Sequence, residues 1–123
     1  MDEPGPLRRV VNATRYSRVG MAEAWRTQAA LRYEIYLLLI LVPLAWRLGS
    51  TALERALLIA SWLLVIVVEL LNSAIETIVD RIGGERHELS GRAKDIGSAA
   101  VFGAIVLAAT VWLFGWVGQL LKR

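Results

Sequence analysis

Apolar residues gather into long blocks, and the polar positions between and within them set out the elements. Residues 7–32 are amphipathic rather than uniformly apolar. Leu7, Val10, Val11, Thr14 and Arg18 share one helical face, Arg8, Arg9 and Arg15 lie elsewhere, and Met21, Ala24, Trp25 and Gln28 continue at helical spacing. Arginines suited to headgroups and a tryptophan at the boundary predict a surface helix lying in a membrane interface, in preference to a soluble helix packed on the rest of the chain. Residues 33–48 predict a first spanning helix. Its uninterrupted apolar core, residues 35–46, is 12 residues long, short of the ~20 that a bilayer crossing takes. Backward extension through Ala29, Ala30 and Leu31 repairs the length, with Arg32 and Glu34 snorkelling or facing partners. Pro43 is a candidate kink. Gly49, Ser50 and Thr51 read as a turn. Residues 52–82 predict a second, long span ended by Gly83 and Gly84. A charged loop follows, with Ser90 as the expected cap of the third span, placed at residues 94–121. Residues 96–121 are 26 positions without a charge, the clearest span of all.

The second span carries charge where a bilayer-crossing helix normally carries none. Glu69, Asn72, Glu76 and Asp80 fall at i, i+3, i+7 and i+11, all on one face of an α-helix. An ionised side chain at the bilayer centre costs at least ~2.5–3.5 kcal/mol on insertion scales. Hydrogen bonds between helices are the plainer use of such residues. Two glutamates and an asparagine are expensive glue, so the stripe is read as a site.

Composition narrows the chemistry. The chain has 123 residues, 56% of them hydrophobic, with mean hydropathy +0.50. This is the profile of one small integral-membrane domain, residues 1–123, all α. No cysteine is present, which excludes disulfides and thiolate metal sites. A single histidine, His87, excludes a multi-histidine centre within one chain. Any metal must therefore take oxygen ligands, which favours Mg²⁺ or a similar hard ion. The net charge of +3 is read as membrane attraction and topology rather than nucleic-acid binding. Lys and Arg number six in the first 34 residues, four in residues 80–95, two in residues 47–55 and two at the end. The N-terminus and the 80–95 loop are thus expected to be cytoplasmic and the C-terminus periplasmic.

With that orientation the stripe enters the bilayer from the cytoplasmic face. Glu76, near the surface, can hold a divalent cation that shares its ligands with phosphates. Lys94 can neutralise a phosphate as a point charge, and Asp95 can orient Lys94 or bond a ribose hydroxyl. Glu69 lies about 10 Å deeper at the helical rise of ~1.5 Å per residue. A base there meets only a hydroxyl presented by a lipid. Asp80 is expected to pair with Arg81 or Arg92. Trp46, Trp112 and Trp116 read as an outer aromatic belt, and Ala99 and Gly103 as small residues that let helices approach. No G-x-x-x-x-G-K-[ST] and no kinase G-x-G-x-x-G is present. From the residues alone the reading stops at an intramembrane carboxylate site using a hard cation. A small proton-coupled transporter is the competing class, although the surface position of Glu76 and the adjacent Lys94 and Asp95 suit it poorly.

The run Glu69-Leu-Leu-Asn72-Ser-Ala-Ile-Glu76-Thr-Ile-Val-Asp80-Arg-Ile, followed by His87-Glu-Leu-Ser-Gly-Arg-Ala-Lys94-Asp95-Ile-Gly-Ser98-Ala-Ala, resembles the bacterial integral-membrane diacylglycerol kinases of the Gram-negative type. The likeness extends through Tyr16-Ser17, Ala24-Trp25, Ala29-Ala30 and Arg32. It implies a homotrimer, each subunit with one surface helix and three spans in an inner membrane, and active sites shared between subunits. It implies ATP with Mg²⁺ as phosphoryl donor and diacylglycerol as acceptor, with Glu69 as general base. Arg9, Tyr16, Gln28, Asn72, Glu76, Glu85, His87, Lys94 and Asp95 resemble nucleotide contacts, and Glu76 and Gln28 the metal positions. Ser17, Trp25, Ala30, Arg32, Glu34, Arg55, Glu69, Ser98 and Trp112 resemble the lipid contacts. Undecaprenol, the acceptor of Gram-positive relatives, is the runner-up substrate. At one place the chain departs from the resemblance: the family usually has Glu where this chain has Gln28. Gln keeps the shape and a carbonyl oxygen but loses the charge. A natural variant with weaker metal binding and an isosteric replacement that traps a substrate complex are both open.

Overall fold

A computed structural model describes residues 3–83 and 87–122, which are all α, with no strand among them. Four helices follow in chain order: α1 (Pro6–Thr27), α2 (Ala29–Leu48), α3 (Ala52–Ile82) and α4 (Glu88–Leu121). The last three are long and apolar enough to cross a membrane. α1 buries none of its residues, as expected of a helix whose apolar face is left for lipid or for another chain.

The first boundary differs from the sequence expectation. α1 ends at Thr27 rather than near Arg32, and Gln28 sits between the helices with extended backbone, φ −115° and ψ 104°. Arg32 is the reason. Its guanidinium reaches back to donate to the carbonyls of Trp25 at 2.8 Å and Arg26 at 3.2 Å. These are orphan acceptors at a helix C-terminus, where a cation is favoured. The break moves the start of α2 from residue 33 back to Ala29, and the helix gains the 20 residues that the ~30 Å hydrocarbon layer needs. Leu31, in the added turn, is fully buried.

The turn between α2 and α3 is capped by a T-x-x-E pattern. Thr51 accepts from the Glu54 backbone N–H at 3.1 Å, and the Glu54 carboxylate accepts from the Ser50 N–H at 2.6 Å. A Cβ on Gly49 would lie 2.6 Å from Cγ of Arg55, so the chain reverses there only without a side chain.

α3 is the hub, flanked by α4 and α2. Its buried line runs Leu58, Ser61, Val65, Ile66, Glu69, Asn72, Ser73 and Val79. Val65 packs with Ala104 and Ala108 of α4, and Trp62 and Val68 close over them. Small residues do set the α3–α4 approach, but they are Gly97, Ala104, Ala108 and Gly115 rather than Ala99 and Gly103. A Cβ on Gly115 would come within 3.1 Å of Leu58, whereas one on Gly103 would meet nothing within 4 Å. Gly103 and Ala99 face outward.

α4 begins at Glu88, earlier than residue 94, and its cap is His87 rather than Ser90. Nδ1 of His87 accepts from the Leu89 N–H at 3.1 Å. Glu88 in the first turn suits the positive helix end. The added turns place Lys94 and Asp95 on a helix rather than at its start. At the far end Gln119 donates to the Leu48 carbonyl and to Ser50, and Lys122 reaches Ser50 and Glu54. Indole N–H groups tie neighbouring spans to one another: Trp62 donates to the Glu34 carbonyl at 2.8 Å and Trp112 to the Leu58 carbonyl at 3.1 Å.

Candidate functional site

The polar stripe of α3 forms a graded series. Glu69 and Asn72 are buried, Glu76 is half-buried and Asp80 is exposed. The gradient follows from the helix leaving the bundle at one end while its apolar residues keep one face against α2 and α4. Glu69 is 7% exposed, and neither it nor Glu34 has an ion pair among the described residues. Glu34 on α2 keeps one carboxylate oxygen buried without a partner. The Glu69 charge lies within electrostatic range of both Glu34 and Glu76. Unpaired buried carboxylates are costly in any fold and more so in lipid, so they point to a site rather than to structural glue.

Asn72 is fixed from two sides. Its Nδ2 donates to Glu76 at 3.4 Å. Its Oδ1 is buried without a donor and faces Gly97 of α4, where a Cβ would collide with it. The absent side chain at Gly97 is what allows Asn72 to sit between the helices at all. Beyond it Lys94 is bound by Asp80, Nζ to Oδ1 at 2.7 Å. This corrects two expectations. Asp80 pairs with neither Arg81 nor Arg92, since Arg92 bonds Glu88 on its own helix at 3.5 Å. Asp95, exposed on the helix, is not the residue that holds Lys94.

A groove of ≈ 470 Å³ runs between α1 and α3, with Ser17, Glu23 and Gln28 on one wall and Ser73 and Thr77 on the other. Gln28 reaches it because the extended break between α1 and α2 turns it toward α3. Ser73 and Thr77 are polar groove residues outside the expected site set, and their spacing at i and i+4 beside Glu69 is the one sequence signal that marks them. Both hydroxyls donate to their own helix, Ser73 to the Glu69 carbonyl at 2.9 Å and Thr77 to the Ser73 carbonyl at 2.8 Å.

The remaining candidates are dispersed. Arg9 pairs with Glu3 and bonds the Pro4 carbonyl near the start of α1, ~28 Å along that helix from Gln28 at 1.5 Å per residue. Tyr16 is exposed, with the Arg15 guanidinium 5.3 Å from its ring centre. Trp25 packs edge-on against Tyr36 at 5.6 Å. Ala30 and Ser98 are exposed on α2 and α4. Arg32 is spent on the α1 terminus, and His87 on the α4 cap. Arg55 stacks on Trp46 at 4.4 Å. It and Trp112 lie at the opposite end of the bundle, Arg55 being ~21 Å along α3 from Glu69. Glu85 falls outside the described residues.

No group of three or more His, Asp or Glu side chains among the described residues could by itself hold a metal ion. Glu76 offers a half-buried carboxylate, while Gln28 lines the α1–α3 groove with Leu70, Ser73, Ala74 and Thr77 rather than with Glu76. Each is an oxygen donor of the kind that Mg²⁺ takes singly or in pairs together with substrate phosphates.

Comparison with known proteins gives a consistent result. The family model for prokaryotic diacylglycerol kinase matches residues 15–115. The chain is 54% identical over 106 residues to a diacylglycerol kinase of Haemophilus influenzae, covering 86% of this chain and 90% of that one. It is 53% identical over 104 residues to the diacylglycerol kinase of Escherichia coli, covering 85% of each chain. It is 50% identical over 106 residues to that of Pseudomonas aeruginosa, covering 86% of each.

Proposed function

The chain belongs to the prokaryotic diacylglycerol kinase family of membrane enzymes, and from that premise we propose that it transfers the γ-phosphoryl group of ATP to the free hydroxyl of diacylglycerol. The observation that carries this reading is the buried, unpaired Glu69 at the inner end of a stripe that leads through Asn72 and Glu76 to Lys94 at the surface. A lipid hydroxyl approaching within the bilayer meets Glu69. A nucleotide approaching from water meets Lys94 first.

In the proposed reaction the Glu69 carboxylate accepts the hydroxyl proton as the lipid oxygen bonds the γ-phosphorus. The bond from that phosphorus to the β,γ-bridging oxygen breaks, ADP leaves and phosphatidic acid is formed. Asn72 and Lys94 donate to the phosphates and offset the charge spread over the transferring group. Positioning and charge neutralisation of this kind supply most of the catalysis in phosphoryl transfer. Glu76, with the Gln28 amide oxygen, would hold a Mg²⁺ ion, which when bound supplies charge neutralisation at the phosphates. Arg9, Tyr16, Glu85, His87 and Asp95 are assigned to the nucleotide, and Ser17, Trp25, Ala30, Arg32, Glu34, Arg55, Ser98 and Trp112 to the lipid.

Sites shared within a homotrimer are part of the reading. The long separation of Arg9 from Gln28 along α1 supports it, because a single chain does not bring both ends of α1 to one stripe. The exposed apolar faces of α1 and α4 also suit neighbouring copies. The orientation is that of an inner-membrane protein with the stripe opening on the cytoplasm, the N-terminus cytoplasmic and the C-terminus periplasmic.

The test is phosphate transfer from labelled ATP in mixed micelles, with diacylglycerol or undecaprenol as acceptor and with Mg²⁺ present or chelated. Labelled phosphatidic acid that requires Mg²⁺, and a loss of ~10²–10⁴-fold in kcat for Glu69→Gln, are expected of a general base. Preference for undecaprenol would reassign the acceptor. ATP-independent, gradient-driven flux without lipid phosphorylation would replace the kinase with a transporter.

A further inference from the structure

Where the stripe leaves the bundle, one ion pair joins the cytoplasm-facing turns of α3 and α4. Lys94 Nζ lies 2.7 Å from Asp80 Oδ1, and the two side chains are 43% and 68% exposed. A pair this accessible contributes little to stability, so holding the helices together is not its main effect. Its effect on Lys94 is larger. A lysine side chain is long and flexible, with an ammonium that carries three donors in no fixed arrangement. Asp80 takes one donor and holds the ammonium on the side of α3 that carries Glu76, within whose electrostatic range it lies. Two N–H groups are left for an incoming anion. Asp95 stands next to Lys94 in sequence but forms no ion pair with it.

On the phosphate role proposed for Lys94, we infer that Asp80 is a positioning residue for nucleotide binding, holding the Lys94 ammonium where its remaining donors meet the phosphates. Asp80 touches neither the lipid nor the reacting atoms. Its influence passes through Lys94 and falls on nucleotide affinity, leaving the lipid acceptor and the transfer step alone. The Asp80–Lys94 bond persists when nucleotide is bound, in contrast to a counter-ion that phosphate must displace.

Equilibrium binding of a non-hydrolysable ATP analogue with Mg²⁺ tests this, using the full chain in detergent micelles as wild type, Asp80→Asn, Asp80→Glu, Lys94→Ala and the double variant Asp80→Asn/Lys94→Ala. Asp80→Asn is expected to weaken binding about two- to fivefold, the span an exposed ion pair supports, and Asp80→Glu to restore part of it. In the Lys94→Ala background Asp80→Asn is expected to have no further effect. Steady-state assays of Asp80→Asn should show KM for ATP raised, with kcat and KM for diacylglycerol unchanged. Tighter binding in Asp80→Asn would mean a counter-ion that competes with phosphate and would overturn the inference. So would equal losses in both backgrounds, or a parallel fall in kcat and thermal stability, which mark a structural role. If Lys94→Ala weakens binding but Asp80→Asn does not, the inference fails and the phosphate role of Lys94 stands. If Lys94→Ala leaves binding unchanged, the phosphate role itself has failed and the inference falls with it.

Discussion

The indole nitrogen of Trp62 donates to the backbone carbonyl of Glu34 at 2.8 Å, a bond from α3 to α2 between residues 28 apart in sequence. It pins α2 at the residue whose carboxylate lies in range of Glu69. Trp62 also closes over the Val65, Ala104 and Ala108 cluster, so one side chain serves both the core and the register of the two carboxylate-bearing helices. Trp62→Phe keeps most of the ring and removes the donor. An inter-helix hydrogen bond in a membrane protein contributes about 0.6 and at most about 1.7 kcal/mol, and a loss in that range is expected in reversible unfolding from detergent micelles. Unchanged stability would show that the bond does not hold α2.

Gly97 and Gly103 make a matched pair of tests on α4. Gly97 is buried, and a methyl there collides with Oδ1 of Asn72, itself buried and fixed to Glu76. Overpacking of this kind costs typically about 1–3 kcal/mol. Gly97→Ala is therefore expected to lower stability and, by pushing Asn72 off the stripe, to depress kcat as well. Gly103→Ala meets nothing within 4 Å and is expected to match wild type in subunit stability. Parallel melting curves and turnover assays of the two variants check both halves.

Arg32 should control the elbow between α1 and α2. With no residue of α1 buried, the guanidinium bonds to the Trp25 and Arg26 carbonyls are a main restraint on its C-terminal turn. A cation at a helix C-terminus contributes roughly 0.3–1 kcal/mol at exposed sites. Arg32→Ala is expected to raise amide exchange over the last turn of α1, and Arg32→Lys to recover part of the protection. Because the same elbow aims Gln28 at the groove, a loss of activity is expected to accompany the faster exchange. Exchange rates unaltered in Arg32→Ala would remove the cap from the account.

How much of this was legible in the sequence depends on the range of each interaction. The three spans and the stripe of Glu69, Asn72, Glu76 and Asp80 were readable because helical periodicity and apolar length are local properties. The limits of the helices were less so. Arg32 capping α1 and His87 capping α4 are side-chain contacts to nearby backbone, and each moved a boundary by several residues without altering which helices exist. Partners across helices were not readable. Asp80 has Arg81 beside it and Lys94 14 residues on, and only the packing of α4 on α3 chooses the second. The same holds for the small-residue face. Ala99 and Gly103 have the right spacing, but the rotation of α4 presents Gly97, Ala104, Ala108 and Gly115 instead.

Gln28 is where a single change should improve the protein. It sits in the extended break between α1 and α2, half-buried on the groove wall facing Ser73 and Thr77. An amide there can offer a hard ion one neutral oxygen. A carboxylate offers the same oxygen with a charge, and Mg²⁺ binds through carboxylates together with phosphates. Gln28→Glu has the same length and branching, so the backbone has no reason to move. On the metal role proposed for Glu76 and position 28, the added charge raises affinity for a divalent ion. We therefore expect Gln28→Glu to show higher turnover than the wild-type chain at low Mg²⁺, about tenfold if the gain is near 1.4 kcal/mol, with the gap narrowing as Mg²⁺ is raised. A titration of phosphatidic acid formation against free Mg²⁺ for both proteins reads this directly. Curves that coincide at every Mg²⁺ concentration would show that position 28 does not contribute to the metal. Curves separated by a constant factor would show that it acts on the transfer step instead.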